Sequence, residues 1–127
     1  MKYSYTKQVS LSFQEAKEKT VAALAEEGFG ILTEIDVKAA LKKKLNVEYG
    51  EYTILGACNP PFAYQALQAE KEIALFMPCN VIVYEKDGQT FASAILPTMT
   101  MGAVGNSSLV DIAKTVEEKL KNVINSI

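Results

Sequence analysis

The residues of this chain with the clearest chemical potential are two cysteines, each followed by an asparagine, at Cys58-Asn59 and Cys79-Asn80. A third segment, Pro97 to Met101, adds hydroxyl and thioether groups. If the three segments converge in the fold, they form a candidate ligand site. The candidate ligand-binding residues are Cys58, Asn59, Cys79, Asn80, Thr98 and Met99.

Thiols and thioethers are soft ligands, which favour Cu(I), zinc or redox chemistry over magnesium or calcium. Cys58 and Cys79 are therefore the candidate metal ligands. Cys58 also precedes a predicted helix, whose N-terminus favours a thiolate. That effect is reduced because Pro60 and Pro61 carry no N–H and the Asn59 side chain competes for the next one.

An alternative interpretation assigns these residues to packing. Free cysteine behaves as a small buried apolar residue, methionine fills gaps in cores, and Asn59 is explained as a helix N-cap. Asn80 is harder to explain in this way, because a buried carboxamide at a strand start must find hydrogen-bond partners. Both interpretations remain open at this point.

The sequence contains no histidine, which excludes several catalytic and metal sites within one chain. Ser-His-Asp and Cys-His catalysis, HExxH metalloprotease sites and Cys2His2 zinc sites all require histidine. Gly28-Phe29-Gly30 lacks the spacing of either nucleotide-binding fingerprint. No motif identifies a cofactor, a substrate or a reaction, and we expect a binding protein more than an enzyme.

Length and charge indicate one domain, residues 1–127, with no affinity for nucleic acid. The chain has 127 residues and a formal net charge of −2, so few phosphates would be neutralised. The lysine run Lys42 to Lys44 lies in a helical pattern and is interpreted as a solvated face. Because no export signal or membrane-spanning run is found, we expect a cytoplasmic protein with reduced cysteines and no membrane partner.

Local signals predict most elements of an α+β fold. Ser12 to Glu15 has the form of a capping box, and Gly28 is suited to end that helix. Asp36 is placed to cap a second helix, and Asp87-Gly88 is typical of a type I′ hairpin turn. The predicted strands are Lys2 to Val9, a buried strand Phe29 to Ile35, Tyr52 to Ala57, Cys79 to Tyr84 and Thr90 to Leu96.

The second half of the chain supplies two further helix signals. Asn59 followed by two prolines predicts a capped helix from Pro60 to about Glu70. The segment Thr98 to Asn106 is predicted to be a loop, after which Ser108 caps a final amphipathic helix. An antiparallel pairing of the strands that end at Cys58 and begin at Cys79 would place both thiols at the same end of the sheet.

The chain resembles the prokaryotic family called domain of unknown function 302. The segments that carry this resemblance are Gly28 to Val37, Gly56 to Pro61, Leu75 to Val81 and Pro97 to Met99. The resemblance implies a fold similar to one half of the TATA-binding protein: a curved, mostly antiparallel five-stranded sheet with helices on one face, a β-α-β4-α core and two inserted helices. It also implies a homodimer, and it implies no particular activity, since fold alone does not define function.

Three hypotheses follow for function. The first is a homodimeric binding module that holds a small ligand or a soft metal near Cys58 and Cys79. The second is a thiol-dependent enzyme or redox protein that uses one of these cysteines. The third is a structural or partner-binding dimer in which both cysteines belong to the core.

Overall fold

The computed structural model describes residues 2–127, which form one antiparallel sheet and a set of helices. The strands are β1 (Ser4–Val9), β2 (Gly30–Asp36), β3 (Tyr52–Cys58), β4 (Cys79–Lys86) and β5 (Gln89–Ile95). The α-helices are α1 (Phe13–Glu26), α2 (Val37–Leu45), α3 (Pro60–Ala69), α4 (Pro97–Gly102) and α5 (Val110–Asn125). Two 3-10 helices, Lys71–Phe76 and Ser107–Leu109, connect them.

The five strands are ordered β1-β5-β4-β3-β2, and every neighbouring pair is antiparallel. This arrangement confirms the predicted α+β class. The β4–β5 hairpin turns at Asp87 and Gly88, whose φ angles of 53° and 76° are those of the predicted type I′ turn. Relative to a β-α-β4-α core, the inserted helices are α2, α3 and the short α4, one more than the two expected, because the segment after β5 that was predicted to be a loop forms α4.

The main hydrophobic core lies between one face of the sheet and helices α1 and α5. Leu55, Val81 and Ala92 point from the central strands to this face and are fully buried. Leu24 of α1 and Leu120 of α5 meet them, because each belongs to an apolar stripe at helical spacing.

A second, smaller core lies beside the first. It joins Ala66 of α3, Ile73 of the following 3-10 helix, Met101 of α4, and Leu109 and Ala113 at the start of α5. The small core is thus built from the segments that the chain inserts before β4 and after β5.

The opposite face of the sheet carries a row of aromatic side chains. Tyr52, Tyr84 and Phe91 occupy paired positions on β3, β4 and β5, and their rings stack at centroid distances of 5.4 Å and 5.2 Å. Ile54 and Ile82 form the next row on the same face. We call the surface formed by these five residues the aromatic face.

Several local predictions are confirmed atom by atom. The Ser12 Oγ accepts a hydrogen bond from the Glu15 N–H at 3.1 Å, and the Glu15 carboxylate accepts one from the Ser12 N–H. The Asp36 carboxylate accepts from the Ala39 N–H at 2.9 Å. Gly28 follows the end of α1 with a φ of 88°, which is the left-handed conformation expected after a helix.

The prediction that Phe29 to Ile35 is a buried strand is wrong. The strand β2 lies at one edge of the sheet, and its side chains Leu32 and Ile35 are 64% and 47% exposed. An apolar run does not by itself distinguish a central strand from an edge strand that keeps one apolar side uncovered.

Two predictions near the end of the chain are also wrong. Residues 98–106 are not simply a loop, because Pro97–Gly102 forms α4, with Pro97 at its first position. Ser108 does not cap α5, because Leu109 occupies the N-cap position and makes no side-chain capping hydrogen bond. Asn106 instead accepts from the Ser108 N–H at 2.9 Å and begins the intervening 3-10 helix.

Candidate functional site

The two cysteines lie at the same end of the sheet, as predicted from topology. The antiparallel register of β3 and β4 pairs Ala57 with Cys79, so Cys58 lies one position beyond that pair. Asn59 then leads directly into α3. The cysteine end of the sheet is therefore also the end at which α3 begins.

A mostly apolar pocket opens at this end, between the sheet and helices α3, α4 and α5. The pocket itself is narrow, with a cavity volume of about 30 Å³, and it opens into a wider cleft of about 370 Å³ that includes open solvent. It lies where the main core meets the small core, and both contribute wall residues. The walls are formed by Phe29, Ala57, Cys58, Asn59, Phe62, Ala63, Ala66, Met77, Pro78, Cys79, Met101, Ile112 and Val116.

Cys79 contributes a desolvated thiol to this pocket. Its partner Ala57 is 1% exposed on the helix-bearing side of the sheet, and Cys79 packs against the same main core. Burial raises the pKa of the Cys79 thiol from its ordinary 9.0 to about 11, and the nearby Cys58 adds to that rise. At neutral pH the thiol is protonated, which makes it a weak nucleophile.

Cys58 reaches the pocket from a different direction. Side chains alternate along a strand, so Cys58 and Ala57 leave β3 on opposite faces, whereas Ala57 and Cys79 share one face. Both cysteines are free. A disulfide requires Cβ atoms within about 4.5 Å and facing each other, and this register does not set up that geometry.

Asn59 lines the pocket but does not cap α3, which corrects the expectation from sequence. No side-chain capping bond is made there; the Asn59 Nδ2 donates to the Glu27 carbonyl at 3.1 Å. Two features explain why the Asn59 side chain bonds to α1 and not to α3. Pro60 and Pro61 remove two of the N–H groups that a cap would bind, while the end of α1 presents carbonyls that need a donor.

The other three candidate residues lie outside the pocket walls. Asn80 is exposed and sits across from Gly56. Both the backbone N–H and the hydroxyl of Thr98 donate to the Glu117 Oε1, at 3.1 Å and 2.7 Å, which joins α4 to α5. Met99 is partly buried next to it. Cys58, Asn59 and Cys79 therefore line one pocket, whereas Asn80, Thr98 and Met99 do not.

Sequence reasoning missed most of the pocket walls. Phe62 and Ala66 on α3, and Ile112 and Val116 on α5, are each four positions apart, a spacing that places both members on one helix face. This spacing could have indicated, from sequence alone, a stripe of side chains that faces inward. No sequence pattern indicates that Met77 lines the pocket, because its position depends on how the 3-10 helix before it packs.

The arrangement limits the metal chemistry that is possible. Across residues 2–127, no group of three or more histidine, cysteine, aspartate or glutamate side chains is placed to hold a metal ion. An ion held by three side chains of this pocket would need a thioether ligand in addition to thiolate.

The fold and the site define a small α+β protein with a narrow apolar pocket at the cysteine end of its sheet. The chain belongs to the family described as "Domain of unknown function DUF302", whose model matches residues 5–127. It is similar to the crystal structure of an uncharacterized conserved DUF302 protein from Bacillus stearothermophilus, with a TM-score of 0.93 and 30% identity over 98% of each chain. No curated protein matches the chain. Within residues 2–127, no helix has the length and apolar character to cross a membrane.

Proposed function

We propose that this protein is a binding module whose ligand site is the apolar pocket at the cysteine end of the sheet. The observation that carries the proposal is the position of the pocket between the main core and the small core. Helices α3, α4 and α5 form one wall, and the end of the sheet forms the other. Apolar pockets with a few polar groups are the usual form of small-molecule sites. The ligand is a small molecule of mainly apolar character or a soft ion.

A thiol enzyme is less well supported by the same geometry. A catalytic cysteine needs an electropositive, partly open surrounding and a nearby base. Cys79 has apolar neighbours and a raised pKa, and the chain has no histidine to act as base. The only carboxamide in the pocket walls, Asn59, is already bonded to the backbone of α1.

Binding is tested with fluorobenzene as a neutral apolar probe, observed by fluorine NMR during titration with the protein. Ala66→Leu places three extra carbons in the pocket wall and is expected to abolish the line broadening caused by binding. Ala63→Leu repeats the test at a less buried wall position. Ala22→Leu, on the exposed side of α1, is the matched control and should bind like the original protein.

Two results would contradict the proposal. One is that the unaltered protein binds neither fluorobenzene nor a soft metal ion. The other is unchanged binding in both wall variants. Circular dichroism melts of all variants show whether a loss of binding comes from a filled pocket or from unfolding.

We further propose that the protein acts as a cytoplasmic homodimer, associating through the aromatic face. The five side chains of this face are uncharged, so pairing it with a second copy desolvates no charged group there. Because a twofold interface places the same surface on both subunits, an uncharged face meets its own copy without like-charge repulsion.

A further inference from the structure

Sulfur is concentrated in the pocket to an unusual degree. Among residues 2–127, every cysteine and every methionine except Met99 lines it. Methionine alone is a common gap filler, and cysteine alone is a common core residue. Four sulfur side chains around one pocket, with no carboxylate in the walls, describe a specific chemical environment.

Three of these side chains belong to the side of the sheet that bears the helices. Cys79 packs against the main core, Met101 is buried in the small core, and Met77 packs against the small core. Cys58 leaves β3 on the other face, as its register shows. We propose that Cys79, Met77 and Met101 together bind one Cu(I) ion, an inference that rests on the proposed function and names its ligand.

Charge balance selects a monovalent soft ion. One thiolate and one Cu(I) ion make a neutral unit, which an apolar pocket can hold without an uncompensated buried charge. A zinc ion bound by the same three groups would leave one positive charge with no anion among the pocket walls. Thioether ligands strengthen this selection, because they favour Cu(I) over harder cations.

The binding step is an exchange of a proton for a metal ion. The Cys79 S–H bond breaks, the proton leaves to solvent, and a Cu–S bond forms with the same electron pair. The thioether sulfurs of Met77 and Met101 each donate a lone pair to the copper ion, and neither releases a proton. No oxidation or reduction occurs, so copper enters and leaves in the same oxidation state.

Cu(I) affinity is measured without oxygen, by competition with the chromophoric chelator bicinchoninate. Met77→Leu and Met101→Leu nearly conserve volume and remove only the sulfur. Each is expected to weaken binding by about tenfold or more, at least the loss seen when an outer-shell partner of a metal site is removed. Cys79→Ser is expected to abolish competitive binding. Met99→Leu, at a methionine outside the pocket walls, is the matched control and should stay within about twofold of the original protein.

X-ray absorption at the copper edge provides a second readout. A first shell made of sulfur alone is expected, with a lower sulfur count in each leucine variant. Affinity that depends on Cys58 and not on Cys79 would overturn the inference, as would Cu(I) binding that neither leucine variant weakens. If fluorobenzene binds and Cu(I) does not, the inference fails while the pocket proposal stands; if neither binds, both fail.

Discussion

Gly56 shows how a single residue allows neighbouring parts of the site to approach each other. It lies in β3, two residues before Cys58 and opposite Asn80. A Cβ at this position would meet the Thr33 hydroxyl oxygen and would lie 2.9 Å from the Pro78 Cγ. The side chains of Thr33 and Pro78 therefore occupy the space above Gly56. The backbone before Cys79 takes its position because this glycine has no side chain.

We expect Gly56→Ala to destabilise the fold by about 1–3 kcal/mol, the usual cost of forcing extra atoms into a packed site. The matched control is Gly30→Ala on the neighbouring strand, where a Cβ has no atom within 4 Å. That control should be neutral or stabilising, since alanine costs less backbone entropy than glycine. Urea unfolding of both variants measures the difference. Equal stabilities would show that Thr33 and Pro78 move aside at little cost.

At the scale of elements, α4 is short and depends on its contact with α5. It has six residues, too few for a helix to be stable alone, and its side chain Met101 lines the pocket. The two hydrogen bonds from Thr98 to Glu117 hold its first turn against α5. The position of one pocket wall therefore rests on a polar contact outside the pocket.

Thr98→Val removes the hydroxyl donor and keeps the shape of the side chain. Because the bond is to the carboxylate of Glu117, whose side chain is only 14% exposed, we expect a loss of about 1–2 kcal/mol in the free energy of unfolding. Thr115→Val is the control: its exposed hydroxyl bonds only to the Asp111 carbonyl of its own helix, and the loss should be below about 0.5 kcal/mol. Thermal and urea unfolding measure both. A Thr98 variant as stable as the control would show that packing alone holds α4.

Predictions that depend on nearby residues were correct, whereas those that depend on distant segments of the chain were not. Ser12, Asp36 and Asp87-Gly88 were predicted correctly because each acts on backbone groups within a few residues of itself. Asn59 was not, because its bond partner Glu27 lies 32 residues away in the chain. The exposure of β2 and the walls of the pocket likewise depend on which distant segments pack against them. The cysteine positions were recoverable because strand direction alone determines the end of the sheet at which they lie.

At the scale of the whole molecule, the aromatic face predicts the state of assembly. Light scattering coupled to size-exclusion chromatography at micromolar concentration should give the mass of a dimer. Ile82→Lys places a charge in the centre of that face and should give a monomer, because two lysines would be buried against each other. Leu75→Lys, at a position 82% exposed on the 3-10 helix, is the control and should remain dimeric. A monomeric mass for the original protein would contradict the prediction.

The two cores imply that the molecule does not open all at once. The main core ties a five-stranded sheet to two long helices, whereas α3 buries only Ala66 fully and α4 only Pro97 and Met101. Segments with few buried contacts unfold locally at lower free energy than the rest of a domain. Backbone amides of α3 and α4 should accordingly exchange with deuterium well before those of β4 and β5. A fluctuation that releases these two helices leaves the sheet and Cys79 in place and briefly enlarges the pocket, which gives a molecule larger than its resting mouth a way in and out.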